Sequence, residues 1–439
     1  MKAKKIVSFT LAGIFMLSCA MGCSGKPSDS PSSAEPAAKE DSAEKSNAAQ
    51  ETKDTTADTV NLTFWHTYSE GEEAVFLDQV VKGFEEENPG IKIEAVRMPV
   101  DGLQQQVIAG ASGDAAPDVM RMDLTWAAEF AKLGALQDVS AFDGFSDLKE
   151  NSLEGPMNTN YYNNGYYGLP LNSTTTVSIW NMDLLNEFGI TTPPDTIDGL
   201  VDLAKKYNDP ANEKWLFTVA GTYTWAMLPW FWTLGGELTD ENFSVASGYL
   251  NSDQSVAALD TMREWYSDGI ISHAIIGEQP DAWGGMTGGK YGMISEGPWF
   301  FSSNDSSFKT ETTLMPEGEG GSISIVGGEN IVMFQNSDKK DAAWKFMQYM
   351  LSDESQLAMS EAGVIPTTKT ATDKMDTSAA PYLDTYLTQL KTAKVRTPSA
   401  NWGEIDTILG KAFEQVIRGE AEAKPALDDA AAQIDGLLK

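Results

Sequence analysis

The sequence predicts an α/β protein whose strands run largely parallel and whose chain divides into two domains. Three observations predict it. Short apolar runs of strand character alternate with segments of helical period, the pattern of right-handed βαβ units. At 439 residues the chain is too long for one ordinary core and comfortable for two. Its apolar strands also end in tight turns that carry acids and rings, as at Glu296-Gly297-Pro298-Trp299. Ligands of parallel α/β sheets sit at such places, outside the carboxyl ends of the strands.

Composition narrows the function classes. A formal net charge of −33 argues against nucleic acid and against charge-driven binding to anionic lipid. Cys19 and Cys23 are the only cysteines and both lie near the N-terminus, so the folded part has no disulfide, thiol nucleophile or cysteine metal site. His66 and His273 are the only histidines and are far apart, which speaks against a histidine-rich metal centre. No cofactor is implied.

Lys2, Lys4 and Lys5 precede an apolar run over 6–17 that is too short to span a bilayer, as in a secretory signal. Ala20-Met21-Gly22-Cys23 then resembles a bacterial lipobox, with Ala20 where the usual leucine stands. Residues 1–22 are therefore expected to be a lipoprotein signal peptide and Cys23 to become a diacylated, palmitate-bearing N-terminus. Lipidation at Cys19 and plain cleavage without lipid are the alternatives. Residues 23–59 hold almost nothing apolar and read as a disordered tether. Together these place the protein, secreted and lipid-anchored, on the extracellular face of the cytoplasmic membrane.

The elements follow in order. Residues 60–65 alternate as a first strand. Ser69 and Glu72 match a capping box, and Leu77, Val80, Val81 and Phe84 share one helical face until Asn88-Pro89-Gly90. A strand over 91–96, a helix over 102–111 and a strand over 118–122 complete two crossovers. A further strand spans 176–180, and a helix begins near Met182. Thr191-Thr192-Pro193-Pro194 and Asp198 open another helix, which buries Leu200, Leu203 and Ala204. An aromatic run over 223–232 closes at Gly235-Gly236. An amphipathic helix covers 256–266, and a loop with Trp283 leads into a buried strand over 291–294. Residues 323–334, interrupted at Gly327-Gly328, read as a strand pair or one bent strand. Residues 342–351 are helical until Gly363-Val364-Ile365-Pro366. Two final helices bury Ile405, Leu409 and Val416, then Leu427 and Ile434, with Gly419 ending one and Pro425 opening the other. No internal repeat or transmembrane span is present.

Several of these pieces, in this order, resemble one family. They are Phe64-Trp65-His66; Pro117-Asp118-Val119 with Asp123 and Trp126; Leu133-Gly134-Ala135-Leu136; Tyr167-Gly168-Leu169-Pro170; and Trp180-Asn181-Met182. Gly288-Gly289-Lys290-Tyr291-Gly292-Met293 with Gly297-Pro298-Trp299, Ala342-Ala343-Trp344 and Gly363-Val364-Ile365-Pro366 complete the set. The chain is similar to the extracellular solute-binding proteins of bacterial carbohydrate ABC importers, the maltodextrin-binding-like lipoproteins of family 1. The resemblance implies a two-lobed, periplasmic-binding-protein-like α/β fold with crossover strands as a hinge and a cleft between the lobes. It places lobe one at residues 60–170 plus 329–366 and lobe two at 171–328 plus 367–439. It also implies a monomer that hands its ligand to membrane permease subunits of an ABC importer.

Sugars offer axial C–H faces to rings and hydroxyl pairs to acids and amides. Trp299 is the leading platform, its rival role a core residue of lobe two. Trp225 lies where the resemblance places a stacking aromatic; Trp230 and Trp232 share its run, part of which must be packing. Trp283 lies on a glycine-rich loop, Trp402 precedes a helix near another stacking position of the family, and Trp126 follows the third strand. Asp123 is the leading polar candidate and could equally cap the next helix. His66 and Tyr68 follow strand one, where His66 is either a hydroxyl partner or structural. Glu296 and Glu329 are hydroxyl acceptors or solvated rim charges, and Asn172 serves ligand or hinge. Arg121 and Lys290 are the only cations in these stretches, so a neutral mono- or oligosaccharide is expected over an acidic one.

The expected function is therefore capture and delivery of a sugar without catalysis. Two rivals stand beside it. One is a surface glycoside hydrolase pairing Asp123 with Glu296 or Glu329, and the other is a sugar sensor or adhesin that serves no transporter.

Overall fold

Strand β1, Val60–His66, turns Leu62, Phe64 and His66 inward and leaves Asn61, Thr63 and Trp65 between them, the period-two pattern of a sheet with one closely packed face. The computed structural model describes residues 59–113, 115–303 and 307–438. The expected signal peptide, nearly all of the tether, Cys19 and Cys23 lie outside the described residues. After β1 the expected capping box forms: Ser69 N–H donates to Glu72 Oε2 at 2.7 Å, and Ser69 Oγ accepts from the Glu72 amide at 3.4 Å. The helix runs through Glu70–Val75 and Lys82–Glu87 with a π-helical stretch, Phe76–Val81, between them. That stretch keeps Phe76, Val80 and Val81 on the buried side. Strand β2, Ile91–Arg97, returns parallel to β1, and helix Leu103–Ser112 leads into β3, Val119–Asp123, parallel on the other side.

A small hairpin follows, β4 Tyr161–Tyr162 and β5 Gly165–Tyr166, then β6 Leu169–Thr174 and β7 Val177–Asn181. The remaining strands are β8 Met293–Glu296, β9 Thr310–Thr313, β10 Ser324–Ile325, β11 Gly327–Met333 and β12 Ala393–Lys394. The first sheet has the order β2-β1-β3-β11-β6, with β11 antiparallel to both of its neighbours. The second has the order β8-β7-β9 and is antiparallel throughout. The expected parallel pairing holds for β1, β2 and β3, where helices connect the strands. It does not hold for β7 and β11, which follow short turns from β6 and β10 rather than a local helix.

Each sheet has its own cores. Leu62, Phe64, Phe76, Phe84 and Phe346 pack on one face of the first sheet, and Leu103, Met120, Phe130 and Val332 on the other. Around the second sheet, Trp180, Phe217, Trp230, Trp265, Phe413 and Leu427 form one cluster, and Ile179, Tyr291, Ile294, Phe300 and Tyr386 another.

Two passages between the sheets lie side by side. The turn from β6 to β7 carries Thr175 and Thr176, which both hydrogen-bond Ser324 of β10 and are buried with it. The expected strand pair over 323–334 is thereby divided, because β10 pairs with β12 whereas β11 joins the first sheet. Gly328 makes the junction possible. Its φ is +129°, and a Cβ there would lie 2.1 Å from the carbonyl oxygen of Asn172. The third passage was expected at 365–366. Ser173 bridges Ile365 and Leu153 N–H donates to Thr367 O at 2.8 Å, and helix Lys369–Lys374 still packs on helix Asp353–Ser360 beside the first sheet. Ile365 itself packs in the second sheet's cluster with Ile179 and Tyr386, and after Lys374 helix Leu383–Gln389 packs on β7. Among the described residues no helix is long and apolar enough to cross a membrane.

Candidate functional site

At the carboxyl end of β3 the ladder sets three polar residues in a row, Asp123 opposite Glu329 and Glu329 opposite Asn172. Arg121, two residues earlier on β3 and buried, ties the row together. Its Nη2 lies 2.8 Å from Glu329 Oε2, Nη1 donates to Thr67 Oγ1 at 2.6 Å, and Nε donates to Asn172 Oδ1 at 3.4 Å. Asn172 Nδ2 completes the ring by donating to Glu329 Oε2 at 2.7 Å. Burial pushes the Glu329 carboxyl up, and the Arg121 guanidinium works against that. Glu329 Oε2 takes both of these bonds, so one of its oxygens is committed to Arg121 and Asn172, and Arg121 is held by Glu329, Thr67 and Asn172.

Asp123 has a more open position. Its carboxylate accepts from the Thr125 amide at 2.8 Å and the Thr125 hydroxyl at 2.6 Å, which closes the turn before helix Ala127–Lys132. About a third of its side chain remains exposed. Arg396, from the segment after β12, brings Nη2 to 3.5 Å from Asp123 Oδ1 and sets its guanidinium 5.6 Å from the centre of the Trp225 ring. Nothing local in the sequence marks Arg396, and the expectation of few cations missed it. Lys290 proves irrelevant to the site, since it pairs with Glu213 at 3.1 Å and bonds the Asn212 carbonyl.

The second sheet supplies an aromatic wall. Helix Thr224–Thr233 presents Trp225, half-buried, beside Gly327 at the start of β11, where a Cβ would clash with the indole at 2.5 Å. Trp299, also half-buried, opens helix Trp299–Ser303 and leans on Trp225 with ring centres 6.0 Å apart. Gly297 leaves room for that ring, because a Cβ there would lie 2.2 Å from it. Trp283, on helix Ala282–Thr287, donates its Nε1–H to Glu296 Oε2 at 2.6 Å, and its ring meets Phe300 edge-on. Glu296, at the end of β8, is buried and also accepts from the Gly297 amide at 2.9 Å and from Trp299. Tyr223 is 51% exposed at the start of the same aromatic run and went unselected in the sequence. Its hydroxyl is pushed up to about 12, by burial first and the charge of Glu296 second.

Four expected contact residues are deeply buried, one of them, Trp402, while still lining a cavity. Trp230, 1% exposed, lies between Phe217 and Trp265, because its place in the helix faces the core while Trp225 faces away. Trp402 is 3% exposed and belongs to the same core cluster. His66 is fully buried among Phe64, Tyr68 and Phe76, and burial, then Arg121 and Arg97, pushes its imidazole down to about 4. Tyr68 is buried beneath the Arg121 guanidinium, 4.5 Å from the ring centre. An inward-facing strand end accounts for both. Trp126 stays half-buried against Phe130.

The two sheets' elements meet around this region. Helix Glu70–Val75 touches helix Trp299–Ser303 on one side, and Lys132 Nζ donates to Asn401 Oδ1 at 2.8 Å on the other. Two cavities of about 510 and 420 Å³ share Thr125 and Arg396 as walls, each large enough for a small organic ligand. Trp126 and Asp406 line the smaller one. Asp406 accepts from Thr224 Oγ1 and is pushed up by burial, with Arg396 opposing. Among the described residues no group of three or more His, Cys, Asp or Glu side chains could hold a metal ion. The arrangement suits reversible binding of a polar ligand with apolar faces.

Comparison with known proteins bears on the family and the fold. Residues 79–385 match the sequence profile of the bacterial extracellular solute-binding proteins. The galactooligosaccharide-binding protein of Bacillus subtilis is 23% identical over 379 residues, covering 83% of this chain and 86% of the relative. Among solved structures, the GacH receptor of Streptomyces glaucescens, determined unliganded and with acarbose, superposes with a TM-score of 0.77 at 22% identity. That match covers 87% of this chain and 98% of the receptor. Maltose-bound MalE3 of T. maritima gives 0.75 at 24% identity, covering 86% and 100%. These likenesses establish the two-lobed binding-protein fold.

Proposed function

This chain belongs to the bacterial extracellular solute-binding protein family, and from that premise we propose that it captures a saccharide between its lobes and delivers it to the permease of an ABC importer. One observation carries the reading. Half-buried Trp225, with Trp299 leaning on it, lies against Arg396, which in turn reaches the partly open carboxylate of Asp123. Rings for C–H faces opposite polar groups for hydroxyls make a saccharide site. Neutral sugar rings are favoured beside the indoles, since Glu329 is paired with Arg121 and Glu296 with indole N–H groups. Relatives named for galactooligosaccharides and maltotriose favour an oligosaccharide.

Lobe one then comprises residues 60–174 and 327–374, and lobe two 177–325 and 375–438. Closure about the paired passages at Thr175-Thr176 and Ser324 brings Asp123 and Trp225 together, and ligand favours the closed form because it touches both lobes only there. The protein acts as a monomer, anchored outside the cell through a lipid on Cys23, and breaks no bond. A hydrolase reading is disfavoured because Glu329 pairs with Arg121, Glu296 holds indole N–H groups and Asp123 is bonded to Thr125.

Isothermal titration against maltotriose, galactooligosaccharides and chitobiose, with tryptophan fluorescence, tests binding; silence across neutral saccharides refutes it. Labelled palmitate that enters the wild type but not Cys23→Ala tests the anchor.

A further inference from the structure

The indoles of the candidate site are not held by packing alone. Glu296 is 9% exposed and its two carboxylate oxygens are fully engaged. Oε2 accepts the Trp283 indole N–H at 2.6 Å, Oε1 accepts the Gly297 amide at 2.9 Å, and Trp299 adds a further bond to the same carboxyl. Two rings from two helices, Ala282–Thr287 and Trp299–Ser303, thus converge on one acid at the end of β8. Its own backbone is fixed in turn, because Tyr386 Oη donates to the Glu296 carbonyl at 3.0 Å. The same ring set continues to Trp225 through its contact with Trp299.

We propose that Glu296 is a positioning residue that orients the Trp283 and Trp299 indoles as a rigid platform and does not itself contact ligand. The inference rests on the saccharide reading for what the platform is used for, but the orienting role belongs to the ligand-free protein. An indole donates only through Nε1, so anchoring that atom fixes the ring's rotation while leaving its faces free. A carboxylate can accept from several N–H donors at once. A glutamine offers one carbonyl oxygen and a competing amine, and cannot serve all three donors. Rings held in advance lose less conformational freedom when a ligand arrives.

The test uses the full chain carrying Glu296→Gln, Glu296→Ala, Trp283→Phe and the double variant Glu296→Gln/Trp283→Phe. Near-ultraviolet circular dichroism, acrylamide quenching of tryptophan and urea midpoints are read without any saccharide. Glu296→Gln should flatten the tryptophan bands and raise quenching. The Glu296→Gln effect should be clearly smaller in the Trp283→Phe background, where one of the donors is already gone. A saccharide that the wild type binds, maltotriose being the first probe, should lose about tenfold in affinity on Glu296→Gln. Unchanged ligand-free spectra in both Glu296 variants would overturn the proposal, since a residue that only touches ligand leaves them intact. Equal spectral loss in both backgrounds would also overturn it, because general destabilisation does not depend on the Trp283 donor. Failure of every saccharide to bind refutes the functional reading while leaving the spectral result standing.

Discussion

Arg396 reaches from the segment after β12 to place Nη2 3.5 Å from Asp123 Oδ1 on the opposite lobe, although 273 positions separate the two in the sequence. The Arg396 side chain is about nine-tenths buried, and its Nε is without a hydrogen-bond partner. Such a pair draws the two lobes toward each other, and Arg396 lines both of the neighbouring cavities. Arg396→Gln should therefore weaken saccharide binding by about tenfold, because it removes a charged donor from the site. Titration calorimetry reads the affinity, and small-angle X-ray scattering should show a larger radius of gyration for the ligand-free variant. An unchanged affinity and radius would remove Arg396 from the site.

Trp299→Ala should cost roughly ten- to thirtyfold in affinity, the scale of one lost ring contact. The ring is only half-buried and lies at the edge of its lobe, so the melting temperature should move by a few degrees at most. Normal binding by this variant would mean that the cleft has been placed wrongly.

Trp230→Ala should do the reverse. The residue packs tilted against Phe217 and meets Trp265 edge-on inside the second lobe, so truncation leaves a cavity and should lower stability by about 3–5 kcal/mol. Urea unfolding measures the loss. Affinity of the fraction that remains folded should stay near that of the wild type, in contrast to Trp299→Ala.

His66 gives a pH signature. Its value is pushed down to about 4 in the folded chain against 6.5 for a free imidazole. Above pH 6.5 both states are neutral, and the stabilisation is complete. Between 6.5 and about 4 the unfolded chain takes up the proton and the folded chain does not, so stability falls as the pH drops through that window. The shift corresponds to roughly 3 kcal/mol in all. His66→Phe should suit the neighbouring Phe64 and Phe76 rings and flatten this slope. Urea midpoints of the two proteins across that window compare them with the carboxylate contributions in common. Parallel slopes would show that His66 titrates normally.

Much of the fold was legible because its signals are local. The capping box at Ser69 and Glu72, the alternation in β1 and the glycine and proline around the last two helices each depend on neighbours within one or two turns. The positions of Trp299 and Asp123 were legible for the same reason, since a short motif marks the end of the strand at or just before each. Within the aromatic run, by contrast, sequence could not divide contact from packing. Trp225 and Trp230 are five residues apart on one helix, and which face meets the core depends on helices Asp253–Ser267 and Trp402–Ile417 packed against it.

By itself the sequence determined that this is an α/β chain with strand ends rich in rings and acids, because hydrophobic period and turn chemistry are properties of adjacent residues. Tertiary structure decided which of those groups meet. It sealed His66 and Tyr68 beneath Arg121, paired Glu329 with that same arginine, brought Arg396 across to Asp123 and set Glu296 under two indoles. Those outcomes rest on distances of a few ångströms between segments tens to hundreds of residues apart. Burial there turns a free acid into a structural one, and no local pattern encodes such a distance.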